Sequence, residues 1–323
     1  MPNKHINYTR ALASYLVLSF GPAYSHAAAD PTIRQLYHTL AAKPTPMATR
    51  LDIISQRFLN QPYEGNALGE GPGARYDTYP LYRVDAFDCE TYVDTVVALA
   101  LAPNFQHFTQ CIKHIRYADG EVSFIKRNHF ASLDWNLNNQ RAGLLKDITT
   151  TLTNQKGEPA ALFSETLINK PAWYQKLPED RIRLPHASPE KQAKRLTALR
   201  QEGKQFKTER VSTPYIPLTA LFNREGEPNL ALFDQIPDGA VIEIVRPNWD
   251  LVKQAGTHLN ISHMGFAFRK NGELRFRHAS LLKKKVSDMP FVQYLAEART
   301  SPTIRGINIQ IILPESPNAK NCR

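Results

Sequence analysis

The stretch Lys270-Asn271-Gly272-Glu273, set between the strand-like runs Ile261 to Phe268 and Leu274 to His278, constrains this chain more than any other. A type I′ turn needs positive φ at both central residues, and Asn-Gly tolerates it, so the spacing predicts a hairpin with a two-residue loop. With Lys270 opposite Glu273, counting back puts Gly265 opposite His278 and His263 opposite Ser280. Paired residues share a face. His263 and His278 therefore become diagonal neighbours on one side, with Gly265 and Ala267 leaving a cleared floor beside them, while Met264, Phe266 and Phe268 face the other side. At a diagonal separation of roughly 7 Å between backbones, two imidazoles can meet edge to edge. A slip of one residue in the loop would send them to opposite faces.

A pair of histidines acquires chemical meaning beside a nucleophile, and Phe87 to Asp94 offers one. Asp88 is a good N-cap, and Phe87 and Tyr92 stand where the two halves of a hydrophobic staple would, so a helix is predicted to begin at Cys89. Cys89, Tyr92, Val93, Val96, Val97 and Ala100 recur on one face, and Glu90, Thr91, Asp94 and Thr95 fill the other. The thiol then points inward. Unpaired amides and the helix dipole favour a thiolate at this position, whereas Asp88 and Glu90 oppose one, so a histidine has to supply the activation. One imidazole can take the thiol proton and the other can fix its tautomer, the arrangement that thiol catalysis requires wherever the three lie in sequence. The N-terminus of the Cys89 helix is expected to dock on the cleared floor. The plainer reading makes Cys89 a small apolar residue on a core-facing stripe.

Compartment bears on the cysteines. Met1 to Ala29 has the form of a secretory signal: Lys4 and Arg10, an apolar run from Ala11 to Phe20, then small residues suited to cleavage before Asp30. The expectation is export to the periplasm or medium with no membrane anchor. Three cysteines, Cys89, Cys111 and Cys322, leave one over in an oxidising compartment; if Cys89 is the working thiol, Cys111 and Cys322 are the pair. The net charge of +10 suits an anionic partner. With no run of five like charges it argues against a nucleic-acid arm and fits attraction to an acidic polymer such as bacterial cell wall, although solubility alone would account for it nearly as well.

Helices are predicted at Thr32 to Ala42, Met47 to Leu59, Cys89 to about Ala102 and Phe105 to Tyr117, with a Gly- and Pro-rich loop from Asn60 to Pro80. Strand-like segments dominate beyond Thr213: Tyr215 to Leu218, Ala240 to Val245, the hairpin, and Thr303 to Leu313. The stretch from about 140 to 213, including a polar helix from Pro189 to Gln201, looks like an elaboration on a single domain spanning residues 30–323. The fold class is α+β, helices first and an antiparallel sheet second.

These residues resemble the NlpC/P60 superfamily of cell-wall cysteine hydrolases, and within it the DUF1460 group of N-acetylmuramoyl-L-alanine amidase-like proteins. The family's Phe-Asp-Cys and aromatic-bearing helix are similar to Phe87 to Ala100, its Ser-His-x-Gly-Phe strand to Ser262 to Phe266, and its His-Ala-Ser strand end to His278 to Ser280. Its Pro-Tyr resembles Pro62-Tyr63, and its Arg-x-His-Tyr followed by Asp-Trp resembles Arg127, His129, Phe130, Asp134 and Trp135, with phenylalanine where tyrosine is usual. The family's Gly-Asp before the histidine strand is replaced by Asp238-Gly239-Ala240, and the segment from Gln140 to Thr213 fits the family poorly.

The resemblance implies a papain-like core in which Cys89 attacks an amide carbonyl to form a thioester, His263 acts as base and then acid, and His278 orients it. It implies an oxyanion site from the Tyr63 hydroxyl and the Cys89 amide. Arg127 would grip a substrate carboxylate, Trp135 would offer a stacking face, and His129 and Asp134 would complete the substrate-binding set. The substrate would be peptidoglycan or a muropeptide, cut between N-acetylmuramic acid and L-alanine or within the stem peptide, without a cofactor. A non-catalytic wall-binding protein is the alternative from another class. A zinc site at Cys89, His263 and His278 ranks last, for want of paired cysteines or an adjacent acidic ligand. Oligomeric state is not legible in the sequence.

Overall fold

The computed structural model describes residues 31–41 and 45–322, so the expected export signal at Met1 to Ala29 lies outside the described residues. The strands are β1 (Leu145–Asp147), β2 (Leu162–Asn169), β3 (Thr208–Pro217), β4 (Ala240–Leu251), β5 (Thr257–Lys270), β6 (Glu273–Ser280), β7 (Lys285–Pro290) and β8 (Gly306–Ile312). They form one antiparallel sheet in the order β2-β3-β8-β4-β5-β6-β7, with β1 alongside β8. Helices α1 (Pro31–Ala41), α2 (Met47–Arg57), α3 (Cys89–Leu101) and α4 (Phe105–Arg116) precede it, whereas α5 (Lys170–Lys176) and α6 (Pro189–Gly203) lie between β2 and β3, and α7 (Phe291–Ala298) between β7 and β8. The α+β class expected from the sequence is the one observed.

The hairpin holds its register. Lys270 pairs with Glu273, and the ladder runs back to Phe266 opposite Arg277. Asn271 and Gly272 both have positive φ, 52° and 83°, as a type I′ turn demands.

Each face of the sheet buries its own cluster. Met264, Phe266 and Phe268 meet Tyr92, Val93 and Val96 of α3 on one face, with the Tyr92 and Phe266 rings 5.9 Å apart. Ile242, Ile244, Ala267 and Phe276 meet Phe291 and Leu295 of α7 on the other. Burying each of these large side chains contributes about 1.5–3 kcal/mol, which holds a helix as rich in β-branched residues as α3 where its own propensity would not.

Helix α3 departs from the two-faced pattern expected of it. Thr91, Asp94 and Thr95, assigned to its polar face, are buried as well. Asp94 accepts a 2.7 Å hydrogen bond from Trp135 Nε1 and lies 3.7 Å from Arg116, so a polar contact takes the place of solvent. The far end of α3 is also fixed. Arg50 donates to the carbonyls of Ala100 and Ala102 at 2.8 and 2.9 Å, and Asn321 Nδ2 donates to Leu101 O at 3.1 Å. The tail is tethered to α4 by a disulfide between Cys111 and Cys322, which leaves Cys89 as the free thiol among the described residues.

The segment from about 140 to 213 joins the sheet instead of standing apart. Its strand β2 pairs with β3 over eight residues, and the end of β3 pairs in turn with β8. Sequence reasoning missed β1, β2, β7, α5 and α7. In β2 the outward positions Phe163 and Leu167 are apolar yet exposed, while Ser164 and Thr166 are buried, so the polar/apolar alternation that marks a strand is blurred.

Candidate active site

Local chemistry sets the start of α3. Asp88 Oδ1 accepts from Thr91 N at 2.9 Å, and Thr91 Oγ1 accepts from Asp88 N at 3.0 Å, closing a reciprocal cap. The Phe87 and Tyr92 rings meet edge-on at 5.6 Å, the expected staple. Cys89 is therefore the first residue of the helix and is half-buried. Its sulfur is hydrogen-bonded by the backbone of Met264 and of Glu90, which places it directly against the β5 residue that follows His263. Burial, then the charges of Asp88 and Glu90, push the thiol well above its usual range, and the two backbone contacts offset only part of that. At neutral pH the resting group is a thiol.

The two histidines meet as the hairpin register requires. His263 Nε2 lies 2.6 Å from His278 Nδ1, with the rings at 83°. Burial, with the charge of Arg246 second, lowers His263 to about 4. Burial, then His263 and Lys283, lowers His278 further. Both are neutral near pH 7. For the remaining nitrogen of His263, Nδ1, to receive a proton, Nε2–H must donate to His278 Nδ1, and His278 then carries its own proton on Nε2, which is buried without a partner. His278 can thus hold His263 in one tautomer and one ring orientation.

The cleared floor is filled differently from expectation. The body of α3 packs on the Met264 face, and the face bearing Gly265, Ala267 and the histidines is covered by α7. Tyr294 of α7 lies 6.4 Å from His263 and 5.3 Å from His278, ring centre to ring centre. The cause lies in the helix pattern: Phe291 and Leu295 anchor α7 in the core below, and Tyr294, one position before Leu295, is carried over the histidine pair. Cys89 and His263 nonetheless line one cleft of about 170 Å³, together with Glu90, His129, Phe130 and Asn260.

Tyr63 is brought to the site by short backbone pairings. Its N–H donates to Lys284 O at 2.9 Å, and Phe87 N donates to Pro62 O at 3.0 Å, so Pro62-Tyr63 runs beside the residues that cap α3. Burial and then the nearness of Cys89 and Asp88 raise the phenol, keeping it protonated and able to donate. Tyr294 is raised by burial and then by Cys89, which puts a second phenol near the sulfur. The sequence offered no motif for Tyr294. The only available signal was the spacing of an amphipathic helix after β7.

The remaining expected substrate residues separate. His129 lines the Cys89 cleft and also an adjoining cavity of about 470 Å³. Its Nε2 is 2.8 Å from Phe124 O, and burial and the charge of Arg127 hold it neutral. Arg127 borders the larger cavity, but its fork is taken: Nε donates to Glu70 Oε1 at 2.8 Å and Nη2 to Asp77 Oδ2 at 2.9 Å. Asp134 is paired with Lys170 of α5 across the same cavity. Trp135 is 0% exposed and spends its N–H on Asp94, so it presents no stacking face. The Asp-Trp motif at 134–135 therefore ties α3 and α5 into the wall; burial and internal pairing displace the ligand-gripping role expected of Arg127 and Trp135.

Among the described residues no three His, Cys, Asp or Glu side chains are arranged to hold a metal ion, and no helix is long and apolar enough to cross a membrane.

Comparison with known proteins places this geometry. No curated protein matches the chain at a significant level. A crystal structure of a Legionella pneumophila protein of the DUF1460 family is 55% identical, with a TM-score of 0.86, covering 88% of this chain and 95% of that one. The fold is shared more distantly with an N-acetylmuramoyl-L-alanine amidase from Bacteroides uniformis, 24% identical with a TM-score of 0.56, covering 83% of this chain and 99% of that one. The model of the AmiA-like family, described as N-acetylmuramoyl-L-alanine amidase-like, matches residues 53–304, and the chain belongs to that family.

Proposed function

We propose that this protein is an exported cysteine hydrolase with an NlpC/P60-type, papain-like core that cleaves the amide between N-acetylmuramic acid and L-alanine in peptidoglycan or muropeptides. The observation that carries the reading is the 2.6 Å contact between His263 Nε2 and His278 Nδ1 beside a free thiol at a capped helix start. A binding module has no use for that set. The family and the Bacteroides uniformis amidase supply the substrate class.

In this mechanism His263 Nδ1 takes the thiol proton as the sulfur attacks the amide carbonyl. His278 stabilises the imidazolium that forms and prevents the ring from turning. The tetrahedral oxyanion is met by the Tyr63 hydroxyl and the Cys89 N–H at the helix terminus. His263 then protonates the departing amine, a thioester remains on Cys89, and water delivered by the same imidazole releases the acid. The cleft beside the thiol shares His129 and Phe130 with the larger cavity, which is where the rest of the substrate would extend. The export part of the proposal rests on the signal-like sequence from Met1 to Ala29.

The test is incubation with defined muropeptides followed by mass spectrometry. Release of the amino sugar as a free lactyl acid supports the amidase reading, whereas cleavage inside the stem peptide would make the protein an endopeptidase. Cys89→Ala is expected to abolish turnover. Binding without turnover in wild type would return the chain to the class of wall-binding proteins.

A further inference from the structure

The turn between β6 and β7 combines two features that the fold does not require. β6 ends at Ser280 and β7 begins at Lys285, with Leu281, Leu282, Lys283 and Lys284 between them. Leu281 is 55% exposed and Leu282 80%. Single exposed leucines are ordinary on a protein surface, but two in succession at a tight turn, where polar residues serve the backbone as well, leave an apolar knob in water. Directly after it comes Lys283-Lys284-Lys285, the longest run of like charge in the chain, and all three are exposed. Lys285 Nζ donates to Asn60 Oδ1 at 2.8 Å, and Lys283 Nζ lies 3.8 Å from Met289 Sδ. Lys126, Lys170 and Lys270 each pair with a carboxylate; none of these three does so among the described residues.

The tip is held in one shape. Ser280 Oγ accepts from Lys283 N at 3.2 Å, and Tyr63 N donates to Lys284 O at 2.9 Å, which keeps Lys284 at a φ of 54°, a conformation that lysine adopts only at a cost. Val286 N donates to Gln61 O and Asn60 N to Val286 O, so residues 60–63 brace the start of β7. Phe87 N donates in turn to Pro62 O, so the tip belongs to the end of the molecule that carries the cap of α3 and the thiol.

One kind of surface suits a rigid pair of leucines followed by cations. A protein partner needs roughly 800 Å² of fitted surface on each side, which two side chains do not supply, and a glycan strand offers no hydrocarbon to receive leucine. A bilayer with anionic headgroups needs no fitted pocket: leucines enter the boundary between headgroups and acyl chains, and lysines meet the phosphates.

We propose that the β6–β7 turn docks this protein on an anionic lipid bilayer, with Leu281 and Leu282 inserted and Lys283 and Lys284 on the headgroups.

The net charge of +10 would by itself draw the chain toward such a surface, so the experiment must separate the turn from overall charge. Co-sedimentation with phosphatidylcholine vesicles, with and without roughly one phosphatidylglycerol in three, does so at about 0.1 M salt. Wild type is expected to bind the anionic vesicles about 10-fold or more tightly than the neutral ones. Leu281→Ser with Leu282→Ser, which leaves the charge unchanged, should weaken that binding by about 10-fold or more. Lys283→Gln with Lys284→Asn, asparagine being chosen because it tolerates positive φ, should weaken it about 10–30-fold. Lys156→Gln with Lys194→Gln removes as much charge from exposed positions on other parts of the chain and should weaken it less than about 3-fold. All variants carry the same residues 1–30, so whatever that segment adds is common to them. Leu282→Trp gives a readout independent of loss of binding: its added emission should shift to the blue on the anionic vesicles. No binding by wild type, binding that survives loss of both leucines, equal losses from the two lysine pairs, or an unshifted Leu282→Trp on sedimented vesicles would overturn the assignment. Retention on isolated cell wall or on an acidic protein that the turn variants abolish, without vesicle binding, would overturn it in favour of another occupant. Cys89 takes no part in these readouts, so the hydrolase reading stands or falls separately.

Discussion

His263 and Cys89 are displaced from their ordinary pKa values in opposite directions, the imidazole down to about 4 and the thiol up, and both shifts begin with burial. The resting pair is neutral, so the thiolate is made during attack and is not stored beforehand. The acid limb of kcat/KM is accordingly expected near pH 4 and not near 6.5, and iodoacetamide should alkylate Cys89 slowly at pH 6–7, accelerating only in alkali. Rapid alkylation at pH 6 would mean a preformed ion pair and would refute this. Stability shares the sign. A histidine with a lowered folded pKa favours the folded state above its unfolded pKa of about 6.5, and that contribution is lost as pH falls through about 4. His278 acts through His263. His278→Leu is expected to lower kcat by roughly 10²-fold or more with little change in KM, and His278→Asn, whose amide oxygen can accept from Nε2–H, should recover much of it.

At the scale of elements, the hairpin and the cap of α3 do the positioning. Gly265 sits where β5 crosses β6: a Cβ there would lie 2.7 Å from Arg277 O, 2.7 Å from His278 Cβ and 2.8 Å from Phe276 Cε2. Gly265→Ala must push β6 away. A stability loss of about 1–3 kcal/mol is expected, with a larger fall in activity because His278 moves relative to His263. Gly272→Ala is the control. Its φ of 83° makes alanine cost about 1 kcal/mol, but with nothing within 4 Å the histidines stay in place and kcat should be unchanged. Urea titration and muropeptide turnover on both variants separate the two effects. These elements were legible in the sequence because each rests on a short-range rule, the Asn271-Gly272 turn and the Asp88 cap. The two-faced pattern read into α3 was not met, since Asp94 and Thr95 are polar residues that other parts of the chain bury and pair.

At the scale of the whole molecule, the end opposite the thiol is anchored by residues remote in sequence: Arg50, Asn321 and the Cys111–Cys322 disulfide all converge where α3 and α4 meet. Replacing both Cys111 and Cys322 by serine is expected to cost about 2–5 kcal/mol, because the bridge closes a loop of most of the chain. Thermal melting of that double variant beside a reduced wild type measures it, and Cys89 should remain the reactive thiol in both. The segment from about 140 to 213 matters at this scale too, since Lys170, Tyr174 and Phe206 form a wall of the large cavity that adjoins the Cys89 cleft.

The sequence by itself determined the α+β order, the position of Cys89 at a capped helix start, and the register that brings His263 and His278 together. These follow from contacts within a few residues or across one tight turn, whereas the structure decided that Cys111 pairs with Cys322 and leaves Cys89 free. Only the tertiary structure decided that α7 and Tyr294 cover the histidine face, that Trp135 is core, and that Arg127 is already paired with Glu70 and Asp77. Whether an arginine or an indole is spent on the protein or left for a ligand depends on which distant carboxylates the fold brings to it, and no local pattern encodes that.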